Sequence, residues 1–231
     1  MQYSKLFPKT LRQAPSRAES TNHQFLVRGG FIHQEMAGVY TYLPLGWKVL
    51  NKISDIIREE MNAIDGQELL MSALHPGGNW KKTGRFYSFD VLFKLKGVGD
   101  SDIVLGPTHE EIIYPLVAEF VWSYKDLPLY LYQIQMKFRN EARAKAGLLR
   151  GREFLMKDLY SFHTSDNDRD EYYKKVREAY LKIFKRINLP VVKTKASGGS
   201  FSDLSEEFQV LTPSGEDVVF VCENCQTAIN R

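Results

Sequence analysis

The chain has 231 residues, of which 43% are apolar and 26% charged, and its 31 basic and 28 acidic side chains give a formal net charge of +3. That composition excludes wholesale disorder, and the length is enough to bury one sizeable core or a core plus an appendage. No apolar run approaches the roughly 18 residues of a membrane span, the stretch Met1 to Thr10 lacks the apolar centre of a secretion signal, and +3 is too weak by itself to imply nucleic-acid binding, so a cytosolic protein is expected.

From Ser20 to Met36 apolar residues at helical spacing are interrupted by Gly29-Gly30, which predicts two short scaffold helices meeting at a turn. Between Trp47 and Ile64, Val49, Leu50, Ile53, Ile56, Ile57, Met61 and Ile64 recur at three and four, which predicts a long amphipathic helix. Asp65-Gly66 ends it, and Gln67 to Leu74 reads as a short buried strand. Pro76 to Asp102, rich in Gly and Lys, reads as a loop carrying a hairpin, with a strand at Phe89 to Leu95 and nothing that suggests chemistry.

Further along, strands are expected at Ile103 to Leu105 and Tyr130 to Phe138, with helices at Glu110 to Trp122 and Asp166 to Ile187. Ser165 and Asp168 have capping-box spacing at the start of the last helix, whose buried face should hold Tyr172, Val176, Ala179, Tyr180, Ile183, Phe184 and Ile187. Pro190 to Val221 holds short β-rich runs separated by Gly-Gly-Ser and Pro-Ser-Gly turns. Strands without regular helix alternation favour an α+β fold, an antiparallel sheet flanked by helices, over a doubly wound parallel sheet.

The chemistry concentrates between Gln133 and His163, where two strand-like runs flank a polar loop. Side chains alternate faces along a strand, so Ile134, Met136 and Phe138 point one way and Gln135, Lys137, Arg139 and Glu141 the other. On the returning run Arg150, Arg152, Phe154, Met156, Asp158, Tyr160 and Phe162 share one parity. If the two sets share a face, guanidiniums, carboxylates and aromatic planes meet there, which suits phosphates, an exocyclic amine and a base. The plainer reading is a hairpin with a salt-bridged, solvated face, and parity alone does not separate the two. Neither G-x-x-x-x-G-K-[ST] nor G-x-G-x-x-G occurs, so any nucleotide is held by side chains.

Phe138-Arg139-Asn140-Glu141, a loop, and Arg150-x-x-x-Phe154 resemble motif 2 of class II aminoacyl-tRNA synthetases. The words from Tyr132 to Glu141 and from Arg152 to His163, Leu105-Gly-Pro-Thr-His-Glu-Glu, Gly38 to Gly46, Gly198-Gly-Ser and Glu207-Phe-Gln-Val-Leu resemble the bacterial-type prolyl-tRNA synthetases. The resemblance runs over nearly all of residues 1–231 and implies one class II catalytic domain carrying the motif 1 and motif 2 regions.

It further implies ATP, with Mg2+, as substrate; proline and the tRNA(Pro) acceptor end as partners; and a homodimer formed through motif 1. Arg139 would bind the amino-acid carboxylate and α-phosphate, Glu141 the adenine amine, Arg150 the phosphates and Phe154 the adenine face. Thr108 and Glu110 would take the prolyl amine, and Met156, Asp158, Tyr160 and Phe162 would wall or support the proline pocket. Without the resemblance, Thr108 reads as a helix N-cap, with His109, Glu110 and Glu111 easing the dipole, and the aromatic strand as sheet packing. Arg143, Lys145, Arg150 and Arg152 read either as a solvated loop or as contacts to the ATP phosphates or a tRNA acceptor end.

The histidines His23, His33, His75, His109 and His163 have no metal-ligand spacing, and Cys222-x-x-Cys225 reads as a turn rather than half a zinc site or a redox pair. Ser72 stands where the family commonly has a motif 1 proline, and Ser205-Glu206-Glu207-Phe208 replaces a word with histidine, so dimerisation and amino-acid preference were open to change. Motif 3, an editing domain and an anticodon-binding domain are not recognisable, which suggests the front part of a longer enzyme. A synthetase-like protein that binds an amino acid or nucleotide without catalysis is the alternative, and a synthetase for another small amino acid such as threonine is a third reading.

Overall fold

The computed structural model describes residues 2–18, 20–196, 205–212, 215–222 and 228–230. It divides into two compact units, Met1–Val176 and Arg177–Arg231. Both mix helices with mainly antiparallel sheet, the α+β class expected from the element order, although two pairings are parallel.

The first unit opens with α1 (Thr21–Arg28), a hairpin of β1 (Ile32–Met36) and β2 (Val39–Tyr42), and α2 (Pro44–Asn62). The second helix expected before Met36 is therefore β1. Its three- and four-residue spacing is too short to distinguish helix from strand, and pairing with Val-Tyr-Thr-Tyr, a β-branched and aromatic run, decides for the strand. In α2 the expected stripe is present, with Met61 fully buried at its end, while Trp47 and Val49 stay exposed.

The single buried strand expected from Gln67 to Leu74 is instead two short strands, β3 (Gln67–Glu68) and β4 (Leu74–Pro76), with Met71 the buried residue between them. The stretch read as a loop folds into α3 (Gly77–Lys82), α4 (Arg85–Ser88) and β5 (Phe93–Lys96). These helices form because Trp80 and Phe86 pack with Leu92, Val104 and Phe89 into a core of their own, outweighing the Gly-rich local signal. β5 and β4 flank β6 (Asp102–Leu105) in one antiparallel sheet, and α5 (Glu110–Phe120) follows. α5 contains Pro115, which cannot donate to the carbonyl of Glu111 one turn back, and Asn79 Nδ2 takes that acceptor at 2.9 Å.

β7 (Leu129–Phe138) and β8 (Glu153–Phe162) form a ten-residue antiparallel hairpin, extended by the parallel β3. A second apolar cluster, Met71, Ile113 and Val117 with Leu129, Leu131, Tyr160 and Phe162 against it, joins α5 to this hairpin. The last helix, α6 (Asp166–Arg186), starts with the Asp168 amide donating to Ser165 Oγ at 3.2 Å, as the capping spacing anticipated. Along it Tyr172, Ala179 and Ile183 are buried, while Val176, Tyr180, Phe184 and Ile187 are half-buried.

In the second unit β9 (Val192–Ala196), β10 (Ser205–Gln209), β11 (Val219–Val221) and β12 (Ala228–Asn230) form one sheet in the order β10-β9-β12-β11. Phe208 meets Tyr180 and Phe184 of α6 with ring centroids 5.7 Å apart in each pair. The Gly198-Gly-Ser word and Cys225 lie outside the described residues.

Candidate functional site

The β7–β8 register aligns Gln133 with Asp158, Gln135 with Met156 and Lys137 with Phe154, so the two polar sets identified by parity share a face. That face is not solvated. Gln133 and Lys137 are completely buried, whereas Ile134 and Met136 on the opposite face are only half-buried. A buried lysine is tolerated only with partners, because desolvating an ammonium costs several kcal/mol.

Lys137 has two. Its Nζ lies 2.9 Å from Asp158 Oδ1 and 2.6 Å from His109 Nδ1. His109 is also completely buried, and its Nε2 lies 3.0 Å from the Ser72 carbonyl, which can only accept. Nε2 therefore carries the proton and Nδ1 accepts from Lys137, which defines a neutral imidazole. Burial, then the Lys137 charge, push its pKa down to about 4. Burial likewise lowers Lys137, against the pull of Asp158.

The other carboxylate oxygen of Asp158 accepts from Gln133 Nε2 at 3.0 Å and from the Tyr160 hydroxyl at 2.8 Å. Burial and the adjacent Asp158 hold the Tyr160 hydroxyl well above its ordinary pKa. That hydroxyl in turn accepts from the His109 backbone amide at 3.1 Å. The segment Gly106–Glu110, between β6 and α5, is thereby tied to both strands of the hairpin. His75, with its pKa lowered to about 3 chiefly by burial, packs edge-on against His109 at 4.5 Å and accepts from Trp80 Nε1 at 3.2 Å.

This fastened segment carries Thr108 and Glu110. The N-cap position of α5 is His109 and has no side-chain cap, so Thr108 is not the cap that its spacing also allowed. Its hydroxyl donates instead to Glu110 Oε2 at 2.5 Å. Arg85, from the stretch in which no chemistry was expected, places Nη1 2.8 Å from Glu111 Oε1 and 3.7 Å from Glu110 Oε2. The guanidinium sits 5.2 Å above Trp80 and 5.0 Å from Phe89, so the small core of α3 and α4 aims it.

At the open end of the hairpin the Arg139 guanidinium lies 5.3 Å over the Phe154 ring and donates two long bonds, 3.4 Å each, to the Pro107 carbonyl. Burial lowers the Arg139 pKa, offset by Glu141 and Glu110. Glu141 Oε2 accepts from Arg150 Nε at 3.2 Å and Nη2 at 3.1 Å. Arg139, Glu141, Arg150 and Phe154 thus converge on one end of the site, although β8 begins only at Glu153, so that Arg150 and Arg152 belong to the loop. Met156, Asp158 and Tyr160 line up along the same strand face, while Phe162 packs at the far end in the apolar cluster of α5.

Two other sequence features resolve locally. His163 Nδ1 lies 2.8 Å from Asp168 Oδ2, and its ring is 5.7 Å from each of Tyr130 and Tyr172, which stack on each other at 3.6 Å. In the second unit Glu206 accepts a two-pronged pair from Arg177, at 2.6 and 2.9 Å, and a third bond from Lys193 at 3.1 Å. Burial alone would raise its pKa, but these cations hold the carboxyl below the usual range.

Sequence reasoning missed Lys137, Gln133, His109, His75 and Arg85. The parity pattern had put Lys137 on the polar face, but nothing local distinguishes a buried polar face from a wet one. Arg85 had no signal, since its partners lie 25 and 26 positions away.

The arrangement offers a fixed guanidinium over an aromatic plane at one end, and a hydroxyl–carboxylate pair at the other. Residues 93–231 match the family model for the "tRNA synthetase class II core domain (G, H, P, S and T)". Over its whole length the chain is 50% identical to a "Proline--tRNA ligase" of Geobacillus sp. (strain WCH70), 48% to one of Syntrophomonas wolfei and 46% to one of Dehalococcoides mccartyi (strain CBDB1). It spans 41% of the length of each of these relatives.

Proposed function

Because this chain belongs to the family of class II tRNA synthetase core domains, we propose that it takes part in activating proline with ATP and transferring it to the acceptor end of tRNA(Pro). The observation that carries this reading is the Arg139 guanidinium stacked on Phe154, with the Glu141–Arg150 pair beside it and Thr108–Glu110 on the neighbouring loop.

In this reading adenine occupies the outer face of Phe154, where base–aromatic stacking contributes about 1–3 kcal/mol. Glu141 accepts from the adenine amine, and Arg150 exchanges its bond to Glu141 for the phosphates. Arg139 bridges the proline carboxylate and the α-phosphate. When the carboxylate oxygen attacks the α-phosphorus and the bond to the departing pyrophosphate breaks, charge builds on the non-bridging oxygens, and a guanidinium already oriented by Pro107 and Phe154 stabilises it without reorganisation.

Glu110 binds the charged secondary amine, and Thr108 Oγ, with its proton on Glu110, offers a lone pair to the same group. Charge-assisted bonds of this kind are worth about 1.5–3 kcal/mol each. Met156, Asp158, Tyr160 and Phe162 wall or support the ring pocket, Asp158 and Tyr160 through the buried network.

Magnesium accompanies ATP as counter-ion to its phosphates. Among the described residues no group of three or more His, Cys, Asp or Glu could hold a metal ion. The same proposal includes a homodimer through α2 and the β3 region, where Trp47, Val49, Leu70 and Leu74 are exposed, and a cytoplasmic location. No described helix is long and apolar enough to cross a membrane.

Calorimetric titration with non-hydrolysable prolyl-, alanyl- and threonyl-adenylate analogues tests the reading. Binding selective for the prolyl analogue and abolished by Arg139→Ala is the expected result. Selectivity for another analogue overturns the proline assignment, and indifference to Arg139→Ala overturns the site.

A further inference from the structure

The loop 140–152, which joins β7 to β8, is gripped on two sides by elements from the start of the chain. On one side stands Asn22 in the first turn of α1. Its Oδ1 accepts from Ser20 Oγ at 2.5 Å and from the His23 amide at 2.7 Å, which fixes the amide orientation and aims Nδ2 at the Ala146 carbonyl, 3.1 Å away. The acceptor lies where the loop needs support. Ala146 and Gly147 are consecutive left-handed residues, φ 56° and 64°, and a side-chain-bearing residue holds that conformation only when its surroundings enforce it. His23, buried and edge-on to Tyr40, closes over Gly147, where a Cβ would come within 3.0 Å of the His23 Cβ.

On the other side stands the β1–β2 turn. The Gly38 carbonyl accepts from the Arg152 amide at 2.7 Å, and Arg152 Nη1 donates to the Ala37 carbonyl at 3.2 Å. Arg152 Nε reaches across the loop to the Glu141 carbonyl at 2.9 Å. Gly38 has φ 78°, and a Cβ there would sit 2.6 Å from the Ala144 Cβ, so the turn and the loop approach as closely as a glycine allows. Glu141 and Arg150 belong to this same loop, and Arg150 lies between Gly147 and Arg152, which the two grips hold.

We infer that Asn22 and the Ala37–Gly38 turn are positioning groups that hold the 140–152 loop in the shape that presents Glu141 and Arg150 to a nucleotide; this rests on the functional reading above. An otherwise polar surface loop is thereby organised before ligand arrives, and the ordering cost is met on folding rather than on binding. The amino-acid end of the site, Thr108 and Glu110, is fastened separately through His109 and Tyr160, so the grip acts first on nucleotide affinity.

Two variants isolate the grip. Asn22→Ala removes the side chain, whereas Asn22→Asp keeps both accepted bonds but replaces the donor to Ala146 with a charged acceptor facing that carbonyl. Amide hydrogen exchange of residues 143–152 in the ligand-free chain should accelerate in both, with exchange in α2 and α5 unchanged. Affinity for ATP with magnesium should fall about two- to tenfold, the worth of one hydrogen bond, with affinity for proline retained. Loop exchange and ATP affinity both at wild-type values would overturn the inference, as would a parallel loss of proline affinity, which would mark general destabilisation. A wild-type chain that binds no ATP while its loop exchange responds to the variants upholds the mechanical grip on the loop and overturns the functional reading instead.

Discussion

Lys137→Met is the most informative single perturbation of the buried site. Methionine nearly matches the lysine stem in length, so packing is largely kept while the charge and its bonds are lost. The variant leaves the Asp158 carboxylate, with only 10% of its side chain exposed, without its counter-charge and His109 Nδ1 without its donor. Breaking a buried ion pair from one side costs about 3–5 kcal/mol. At about 2–4 °C per kcal/mol for a domain of this size, the thermal midpoint should fall by roughly 6–20 °C.

The reasoning is sharpened by Asp158→Asn in the same background. It neutralises the stranded charge, and its amide oxygen can still accept from Tyr160 or Gln133. The double variant should therefore be more stable than Lys137→Met, with a coupling energy of about 1–3 kcal/mol in the double-mutant cycle. Urea unfolding followed by circular dichroism at neutral pH measures all four corners. A loss below about 1 kcal/mol for Lys137→Met, or a further loss on adding Asp158→Asn, would refute the uncompensated-charge argument.

Gly106→Ala would place a methyl 2.5 Å from His75 Nε2 in a closed region, and overpacking of this kind costs about 1–3 kcal/mol, read as a lower thermal midpoint. Asn79→Ala strands the Glu111 carbonyl that Pro115 cannot serve, and urea unfolding should register a loss of about 1–3 kcal/mol; no loss would mean that water replaces the amide. The folded-state pKa values of His75, about 3, and His109, about 4, lie below the 6.5 of an unfolded histidine. The unfolded chain then binds more protons in that window, so this stabilisation is complete above pH 6.5 and is lost as pH falls through about 4 for His109 and about 3 for His75. Each histidine contributes a slope of up to about 1.4 kcal/mol per pH unit, and urea midpoints that stay flat from pH 6.5 to 5 would contradict their burial as neutral groups.

Local patterns were read correctly where one force dominates. The three-and-four spacing of α2 and α6, the alternation of β7 and β8, and the Ser165 cap each express a short-range preference that tertiary contacts reinforce. The strand parity correctly put Gln133, Gln135 and Lys137 on one face with Asp158, Met156 and Phe154, because a ten-residue hairpin leaves no freedom of face, whereas Arg139, Glu141 and Arg150 lie beyond the ladder and are brought together by the loop. Prediction failed at Ile32–Met36 and from Gln67 to Asp102, where the segments are short and stabilised by distant partners: Ile32–Met36 by the β2 pairing, and α3 and α4 by the packing of Trp80 and Phe86 on Val104.

The amino-acid sequence by itself determined the α+β class, the hairpin that displays the candidate nucleotide residues and, through whole motifs, the family. Tertiary structure alone decided that the polar face is buried, that Lys137 and Asp158 neutralise each other beside a neutral His109, and that Arg85 stands beside Glu110. It also decided that α1 and the β1–β2 turn close on the loop 140–152. Alternation and helical spacing are properties of neighbouring residues, but burial and electrostatic partnership depend on which distant surface covers a face, and that is settled only when the chain packs.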